Sequence, residues 1–448
     1  MKNQFLHALF FLLITGITAS AQAPSATTAT FPDGTPLSSW YQEDQPAPLS
    51  ALGKVYNLRD YGLISSTTRV QTELIQRAID DAARQGGGVI VVPEGIYKSG
   101  ALFFRQGTHL HLVKGAVLLG SEDILDFPLR QTRIEGEVCK YFPALINVEQ
   151  LNGFTLSGEG TIDGNGSHYW QAFRLRRQWN PQCTNKDEMR PRLLYVANSR
   201  NVTIAGVSLQ NSPFWTSHYY RCDSVKLLDL RVFSPNQPIR SASADGIDLD
   251  VCSHFLIKRC RITTNDDGIC FKGGKGPYAD QDSTNGGNHH ILIDECLFDH
   301  TTASCVTCGS EAIHVSNVLI RNCRIDGGRT ALMLKMRPDT PQRYEHIRVE
   351  GLTGECEILC KVFKWTQFFD LKGRKDIPKS YADHITLKDI RLRNLHTFID
   401  LSKNEEEYIL SNFHLENIDV EAQKVEWDQS AIRGLKKKKV KTEAIKNE

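Results

Sequence analysis

The chain has 448 residues and a formal net charge of +1, with 52 acidic and 53 Lys or Arg side chains. This balance excludes a protein that binds nucleic acid or a membrane surface through its overall charge. The length is sufficient for a large hydrophobic core.

The first 21 residues are predicted to be a signal peptide. A Lys near the start precedes an apolar run from Ala8 to Ile17, and Ala19-Ser20-Ala21 fits the small-x-small cleavage rule. The apolar run is too short to span a bilayer. We therefore expect an exported protein, periplasmic or secreted, with no membrane span and with an extended leader over residues 22–52.

One helix is predicted near the N-terminus, within "TRVQTELIQRAIDDAARQGGG". Apolar residues recur there at helical spacing, at Val70, Leu74, Ile75, Ala78, Ile79 and Ala82. The glycines from Gly86 to Gly88 end the helix, and the apolar run that follows predicts a return to strands. A helix in this place would cover the open edge of the first strands, so we interpret it as a short N-terminal cap.

An internal repeat extends over most of the remaining chain. Each copy reads apolar, x, apolar, x, x, small or apolar, x, apolar, as in Val202, Ile204, Val207 and Leu209. Alternation with period two predicts strands with one buried face, and the copies recur roughly every 23 to 38 residues, as solenoid coils do. The pattern predicts an all-β parallel β-helix, one solenoid domain over residues 53–425, with a basic flexible tail over 426–448.

The chain contains 12 cysteines. Cysteine occupies the same template position in three copies of the repeat, at Cys260, Cys296 and Cys323. This predicts a ladder of buried thiols rather than disulfides or metal ligands. The spacing of Cys305 and Cys308 also suits a zinc site shared with Cys356 and Cys360, which is the alternative interpretation.

Adjacent aspartates interrupt the alternation in "RITTNDDGICFKGG". Taken alone, Asp266 and Asp267 are typical of a turn. However, "SADGIDLD" places Asp245 about one coil earlier, so that stacking would bring it beside the pair. Asp248 and Asp250 alternate with apolar residues and are predicted to lie on the solvated outer face of a strand.

These motifs resemble glycoside hydrolase family 28, the polygalacturonases and their pectin-cleaving relatives. The resemblance runs from "NLRDYG" and "GGGVIVVPEGIYKSG" through "GEGTIDGNG" and "NSPFWTSHYYRC" to the aspartate motifs. It implies a right-handed parallel β-helix and an inverting glycosidase, with no metal or cofactor, that acts on galacturonic acid in pectin as a monomer. By this resemblance Asp266 is the general acid, and Asp245 with Asp267 activates water.

Two family motifs are altered. Ala303 or Ser304 stands where the family has the histidine of a G-H-G motif, with His300 nearby. In "ALMLKMR", Lys335 is retained but Met333 replaces an arginine. Because a planar arginine fork recognises a carboxylate better than a lysine does, we expect a pectic substrate other than plain homogalacturonan, such as rhamnogalacturonan or an oligosaccharide end.

Side chains near the aspartates are candidates for substrate binding: Lys335, Lys272, His218, Trp215 and Arg337. Lys272 could equally be solvated, Trp215 could be a loop anchor, and Arg337 could be a surface residue. Trp365 could form the floor of a flanking subsite. Long inserts, including "FRLRRQWNPQCTNKDEMRPR", are predicted to wall the cleft and so to favour removal of terminal sugars.

Two other functions fit parts of the sequence. Pectate lyases share the parallel β-helix and the substrate, but they need calcium and an arginine base. A non-catalytic carbohydrate-binding β-helix, with the aspartates as turn residues, is the other alternative. The pairing of "NDDG" with "ADG" one coil earlier favours the hydrolase.

Overall fold

The computed structural model describes residues 29–401 and 408–445, so the predicted signal peptide lies outside the described residues. Strands of each coil pair in parallel with the equivalent strands of the next coil. Each coil contributes strands to three faces, here called sheets A, B and C. The predicted right-handed parallel β-helix is confirmed.

The three sheets are built mainly from short strands. Sheet A contains Leu102–Phe103, Ile146–Glu149, Leu194–Ala197, Ser217–Tyr220, Ile247–Asp250, Ile269–Lys272 and Val306–Cys308. Sheet B contains Val55–Asn57, Gly88–Val92, Thr108–Leu112, Asn152–Gly158, Arg200–Ala205, Asp223–Leu228, Ser253–Lys258, Gly287–Asp294, His314–Arg321, Arg343–Glu350 and Tyr408–Ser411. Sheet C contains Ser66–Val70, Gly95–Ser99, Ala116–Gly120, Thr161–Asp163, Ser208–Gln210, Arg231–Phe233, Arg261–Thr263 and Leu297–Asp299.

Toward the C-terminal end, longer strands pass from one sheet to the next. They are Arg324–Met336, Thr353–Lys364, Ser380–Leu401, His414–Lys424 and Lys436–Ala444. One antiparallel hairpin, Arg130–Ile134 with Glu137–Tyr141, stands apart from the solenoid sheets. Short 3-10 helices complete the secondary structure: Ser39–Gln42, Leu49–Ala51, Leu58–Tyr61, Ile124–Asp126 and Gln429–Ala431.

The hydrophobic core lies inside the coils. Equivalent residues stack in register along sheet B, as in the series Val202, Val225, Phe255, Ile291 and Val318. These side chains are at most 1% exposed. Each coil therefore buries its apolar face against its neighbours, which is how solenoid repeats are stabilised.

The cysteines add to this core. Cys260, Cys296 and Cys323 are free thiols, each 1% exposed, so the predicted ladder is confirmed. The residues of the alternative zinc site are also buried and free: Cys305, Cys308, Cys356 and Cys360.

A helix, α1, spans Thr72–Arg84 and covers the first coils. It buries Ile75, Ala78, Ile79 and Ala82, and it packs mainly against Gly88–Val92. The predicted N-terminal capping helix is therefore confirmed. A second helix, α2, spans Ser167–Trp179 and overlaps the start of a predicted wall insert; the sequence analysis did not predict it.

Residues 29–44, here called the N-terminal strap, cross the outer face of sheet B. Phe31, Leu37 and Tyr41 are buried on a row of outward-facing apolar side chains, Ala205, Leu228, Leu256, Leu292 and Leu319. The Oη atom of Tyr41 donates a hydrogen bond of 2.7 Å to the carbonyl oxygen of His290. The part of the predicted leader that the structure describes is thus packed on the solenoid.

The C-terminal region differs from the predicted flexible tail. Lys436–Ala444 forms a strand parallel to His414–Lys424, and Val440 lies opposite Ile418. The sequence gives no alternating pattern for this strand, because its inward face carries one partly buried apolar residue, Val440, among lysines. Among the described residues, none of the helices has the length and apolar composition needed to cross a membrane.

Candidate active site

Stacking of sheet A brings the predicted catalytic aspartates together. Ile247 lies opposite Ile269, which places Asp245 and Asp267 at the same height on consecutive coils. The coils are tied there by the Gly246 N–H, which donates to the Asp267 carbonyl oxygen at 2.9 Å. Asp245, Asp266 and Asp267 line one cavity of about 320 Å³.

Asp266 is the partly exposed member of the trio, whereas Asp245 and Asp267 are buried. The Asp267 N–H donates to Asp266 Oδ1 at 3.0 Å, and Thr264 Oγ1 donates to the Asp266 carbonyl oxygen at 2.8 Å. Burial, and then the negative charges of Asp245 and Asp267, raise the pKa of Asp266 to about 8. A carboxyl group that is protonated at neutral pH can serve as a general acid.

Asp267 has the opposite environment. Lys335 Nζ donates to its Oδ2 at 2.7 Å, and Ser304 Oγ donates to its Oδ1 at 3.0 Å. Burial alone would raise the pKa of Asp267, but the charge and hydrogen bond of Lys335 outweigh burial and lower it. Asp267 is therefore ionised beside the protonated Asp266, which separates the roles of the two adjacent acids.

Lys272 faces a second group of acids. Its Nζ lies 3.2 Å from Asp245 Oδ2, 3.5 Å from Asp248 Oδ1 and 3.6 Å from Glu311 Oε2. Burial raises the pKa of Asp245, although Lys272 opposes this effect. Burial and the charge of Asp245 raise the pKa of Asp248 well above its ordinary value. Neither oxygen of Asp248 forms a hydrogen bond with a described residue.

Asp245, Asp248 and Cys270 are also the one group within the described residues whose ligand atoms could hold a metal ion, since these atoms lie within 4.8 Å of one another. The donor set fits a metal poorly, because the ammonium group of Lys272 already faces both carboxyl groups. A cation bound there would be repelled by that charge. The two carboxyl groups therefore accommodate the ammonium group of Lys272 rather than a metal ion.

Two lysines of the cavity lie over tryptophan rings. Lys272 Nζ is 4.6 Å from the ring centroid of Trp215, and Lys335 Nζ is 4.8 Å from that of Trp365. Trp215 is buried, as expected of an anchor, but one edge lines the cavity; Trp365 is half-buried and also lines it. These cation–π contacts hold the lysines in place beside the aspartates.

His218 does not reach the cavity, so its prediction as a substrate-binding residue is wrong. Its side chain is fully buried, with Nδ1 at 2.6 Å from Arg192 Nη1 and Nε2 at 3.3 Å from Asp250 Oδ2. Burial lowers the pKa of His218 to about 4. Arg133, from the antiparallel hairpin, pairs with Asp250 at 3.0 Å. The predicted solvated positions of Asp248 and Asp250 are also wrong, because both side chains are fully buried, Asp250 against Arg133 and Asp248 beside Lys272.

Arg337 is likewise not a cavity residue, which corrects its predicted role in substrate binding. It is buried, with Nε at 2.8 Å from Asp339 Oδ1. Its guanidinium also donates to the carbonyl oxygens of Gln367 at 3.0 Å and Phe368 at 3.4 Å. Since Gln367 and Phe368 line the cavity, Arg337 supports the cavity wall instead.

The structure shows where the residues at the altered family motifs lie. Ser304, one of the two residues aligned with the family histidine, is fully buried and hydrogen-bonded to Asp267. His300 is exposed and pairs with Asp299 at 2.6 Å, and it lines a separate groove. Met333, at the position of the family arginine, is buried and has no charge to offer.

Sequence reasoning missed several residues that line the cavity, among them Glu135, Arg174, Arg177, Arg240 and Glu311. Arg174 and Arg177 belong to α2, whose inward face is formed by Tyr169, Trp170 and Phe173. That spacing of aromatic residues, followed by a cluster of arginines, was the available signal for an amphipathic helix at the cleft.

Comparisons with known proteins identify the family of the chain. The sequence profile of "Glycosyl hydrolases family 28" matches residues 129–446. A polygalacturonase of Chamaecyparis obtusa is 27% identical over 349 residues, 76% of this chain and 61% of that protein. An exo-poly-alpha-D-galacturonosidase of Dickeya chrysanthemi is 25% identical over 337 residues, 64% of this chain and 53% of that protein.

Among solved structures, a hyperthermoactive exopolygalacturonase from Thermotoga maritima shares the fold. Its TM-score is 0.67 at 20% identity, and the alignment covers 85% of this chain and 89% of that chain. The match to each curated relative named above spans 61% or 53% of that relative's length. The profile match over most of the chain shows that the protein belongs to glycoside hydrolase family 28.

Proposed function

We propose that this protein hydrolyses α-linked galacturonic acid in pectic polysaccharides or oligosaccharides, with inversion at the anomeric carbon. The observation that carries the proposal is the contrast between neighbouring acids in one cavity. The pKa of Asp266 is raised to about 8, whereas the pKa of Asp267 is lowered. Glycoside hydrolysis requires this combination of a protonated and an ionised carboxyl group.

In the proposed reaction, Asp266 donates its proton to the glycosidic oxygen as the bond from that oxygen to the anomeric carbon breaks. A water molecule attacks the anomeric carbon from the opposite face, and Asp267 with Asp245 accepts the proton that this water loses. The products are a released sugar with an inverted anomeric hydroxyl group and the remaining saccharide, one sugar shorter. A protein carboxyl group donates or accepts the proton in each transfer, so the proposed reaction requires no metal.

We propose that the enzyme removes sugars from chain ends. The walls of the cavity support this mode: α2 contributes Phe173, Arg174 and Arg177, and the segment before Ile247–Asp250 contributes Arg240 and Ser243. The Dickeya relative is named an exo-acting galacturonosidase. Rhamnogalacturonan oligosaccharides remain within the proposal as substrates, because Ala303 or Ser304 replaces the family histidine and Met333 replaces the arginine.

The test is a product profile on homogalacturonan and on rhamnogalacturonan oligosaccharides. We expect monomeric galacturonic acid as the first product, and proton NMR during the first turnovers should show the β-anomer from an α-linked substrate. The Asp266→Asn protein is the matched control, because it keeps the shape of the side chain and removes the transferable proton.

Other outcomes would replace the proposal. Ultraviolet absorbance of unsaturated uronides, lost on chelation of calcium, would establish a lyase. Retained product formation by Asp266→Asn would remove the general acid from this mechanism. Uronide binding without turnover by the native protein would favour a carbohydrate-binding β-helix.

A further inference from the structure

The cations of the cavity fall into a paired and an unpaired set. Lys335 is hydrogen-bonded to Asp267, and Lys272 faces Asp245 and its neighbours. By contrast, the guanidinium groups of Arg174, Arg177 and Arg240 line the same cavity without an ion pair to any carboxylate of the described residues. The lysines are thus neutralised by the catalytic aspartates, which leaves the arginines as the cations free to meet an acidic substrate.

Arg177 is the arginine held most firmly. Its Nη2 donates to Asn185 Oδ1 at 3.0 Å, and its guanidinium lies 4.4 Å from the ring centroid of Phe173. Asn185 is itself fixed, because its Nδ2 donates to Glu135 Oε1 at 2.7 Å and its Oδ1 accepts from Ser243 at 3.2 Å. Arg177 Nε is buried and has no hydrogen-bond partner among the residues that the structure describes.

Contacts of the same kind continue from α2 toward Lys272. The guanidinium of Arg190 lies 4.4 Å from the ring centroid of Phe173 and 4.3 Å from that of Phe214. The Phe214 ring stacks on Trp215 at 5.2 Å, and Lys272 also contacts Trp215. This stack couples the wall to the aspartate coils. Because the guanidinium is held before substrate arrives, little conformational entropy is lost when it binds an anion.

The neighbouring arginines complete a basic wall. Arg174 Nη2 donates to the carbonyl oxygen of Arg240 at 2.6 Å, and Arg240 Nε donates to Asn265 Oδ1 at 3.1 Å. Asn265 immediately precedes the two adjacent aspartates. The wall is therefore attached both to α2 and to the segment that carries the general acid, and it faces the cavity with positive charge.

We propose that Arg177, flanked by Arg174 and Arg240, binds the carboxylate of a uronic acid residue adjacent to the scissile bond. Arg177 uses only Nη2 in a side-chain hydrogen bond, to Asn185, so Nη1 is left among the described contacts to donate to a carboxylate. The planar guanidinium donors match the two oxygens of such a group. This subsite replaces the arginine that Met333 displaces from the family motif. The inference rests on the proposed function and names the feature of the substrate that the cavity selects.

The test measures binding, so that it does not depend on turnover. In the Asp266→Asn protein, titration calorimetry compares digalacturonate with its dimethyl ester, which keeps the sugars and removes the charges. We expect Arg177→Met to weaken digalacturonate binding about 10- to 100-fold, the loss of hydrogen bonds to a charged group, and to leave ester binding nearly unchanged. Arg176→Met is the matched control, because Arg176 lies on the same helix and pairs with Glu188 instead.

The outcomes separate the two proposals. Equal binding of digalacturonate by the Arg177→Met and Arg176→Met proteins would overturn the subsite and leave the proposed function standing. If the Asp266→Asn parent bound neither digalacturonate nor its ester, the proposed function and the subsite would both fall. Arg177→Gln is the second variant should the Met protein unfold, and with Asp266 intact it should raise KM for digalacturonate more than it lowers kcat.

Discussion

Lys335 Nζ donates a hydrogen bond of 2.7 Å to Oδ2 of Asp267, and both side chains are almost completely buried. This ion pair acts on two acids. It keeps Asp267 ionised, and the resulting negative charge helps to keep Asp266 protonated. One contact between coils thereby assigns different protonation states to adjacent residues of the chain.

Removal of this cation should abolish that difference. In Lys335→Met, the pKa of Asp267 should rise because burial is no longer opposed, so the acidic limb of the kcat profile should move to higher pH. We expect kcat at neutral pH to fall by about 100-fold, the lower end of a general-base contribution. Steady-state kinetics across pH measures both effects.

Lys361→Met provides the control for Lys335→Met, because Lys361 pairs with Asp400 outside the cavity. The protein with this change should keep the native pH profile. An unshifted acidic limb in Lys335→Met would show that Lys335 does not set the ionisation of Asp267.

Asp266 should make the stability of the protein depend on pH. Its pKa is about 8 in the folded protein and about 4 in the unfolded chain, so between these values the folded state binds the extra proton. Stability should therefore fall as pH rises from about 4 to about 8. The asparagine side chain of the Asp266→Asn protein does not titrate, so this loss of stability should be absent from the variant. The Tm of the variant minus the Tm of the native protein should therefore increase from about pH 4 to about pH 8.

The activity profile gives an independent check of the same group. The protonated fraction of Asp266 declines through pH 8, so activity should decline there too. Differential scanning calorimetry and kcat measurements from pH 4 to pH 9 test the two statements. A Tm difference between Asp266→Asn and the native protein that stays constant with pH would contradict the raised pKa.

Asp248 should tolerate an amide. Burial and the charge of Asp245 raise the pKa of Asp248 well above its ordinary value, which favours the neutral form. Its oxygens accept no hydrogen bond from a described residue, and an asparagine side chain keeps the shape and offers a donor. We expect kcat of Asp248→Asn to stay within about threefold of the native value, since no hydrogen bond is lost. Asp245→Asn, by contrast, should lose activity because it removes a carboxylate that is proposed to accept the proton of the attacking water. If Asp248→Asn were as inactive as Asp245→Asn, Asp248 would have to be ionised in the native protein.

The N-terminal strap should contribute to folding stability. Phe31 is 1% exposed and packs on the apolar row of sheet B. Phe31→Ala should lower the free energy of unfolding by about 3–5 kcal/mol, the usual cost of removing a buried aromatic ring. Equilibrium unfolding in urea measures it, with Ser38→Ala as an exposed control on the same segment. Equal midpoints for both proteins would mean that the strap does not stay packed in solution.

The sequence was most informative where the repeat fixed the register. The spacing of "ADGID" and "NDDGI", one coil apart, predicted that Asp245 would lie beside Asp267, and the register of Ile247 with Ile269 places them so. The family resemblance supplied the roles of the three aspartates. The cysteine ladder followed from the same register. Alternation with period two shows which side chains of a strand point inward, and in a solenoid the inward side chains form the hydrophobic core.

The sequence was least informative about what covers an outward face. Asp250 appeared solvated because its partner, Arg133, is 117 residues away in an inserted hairpin. Arg177 was missed for a similar reason, since α2 interrupts the repeat and returns to the cavity. No periodicity links such inserts to the sheet that they cover, so their contacts depend on tertiary packing alone.

The position of the lysine-rich strand Lys436–Ala444 has a consequence for association between molecules. Among the described residues this strand pairs along its length with His414–Lys424 alone, and a strand paired on one side leaves backbone donors and acceptors that can template growth by a second copy. The side chains of Lys436 to Lys439 are exposed there, and α1 shields the first coils. Like charges would meet if two such ends approached, so the arrangement opposes end-to-end polymerisation into fibres.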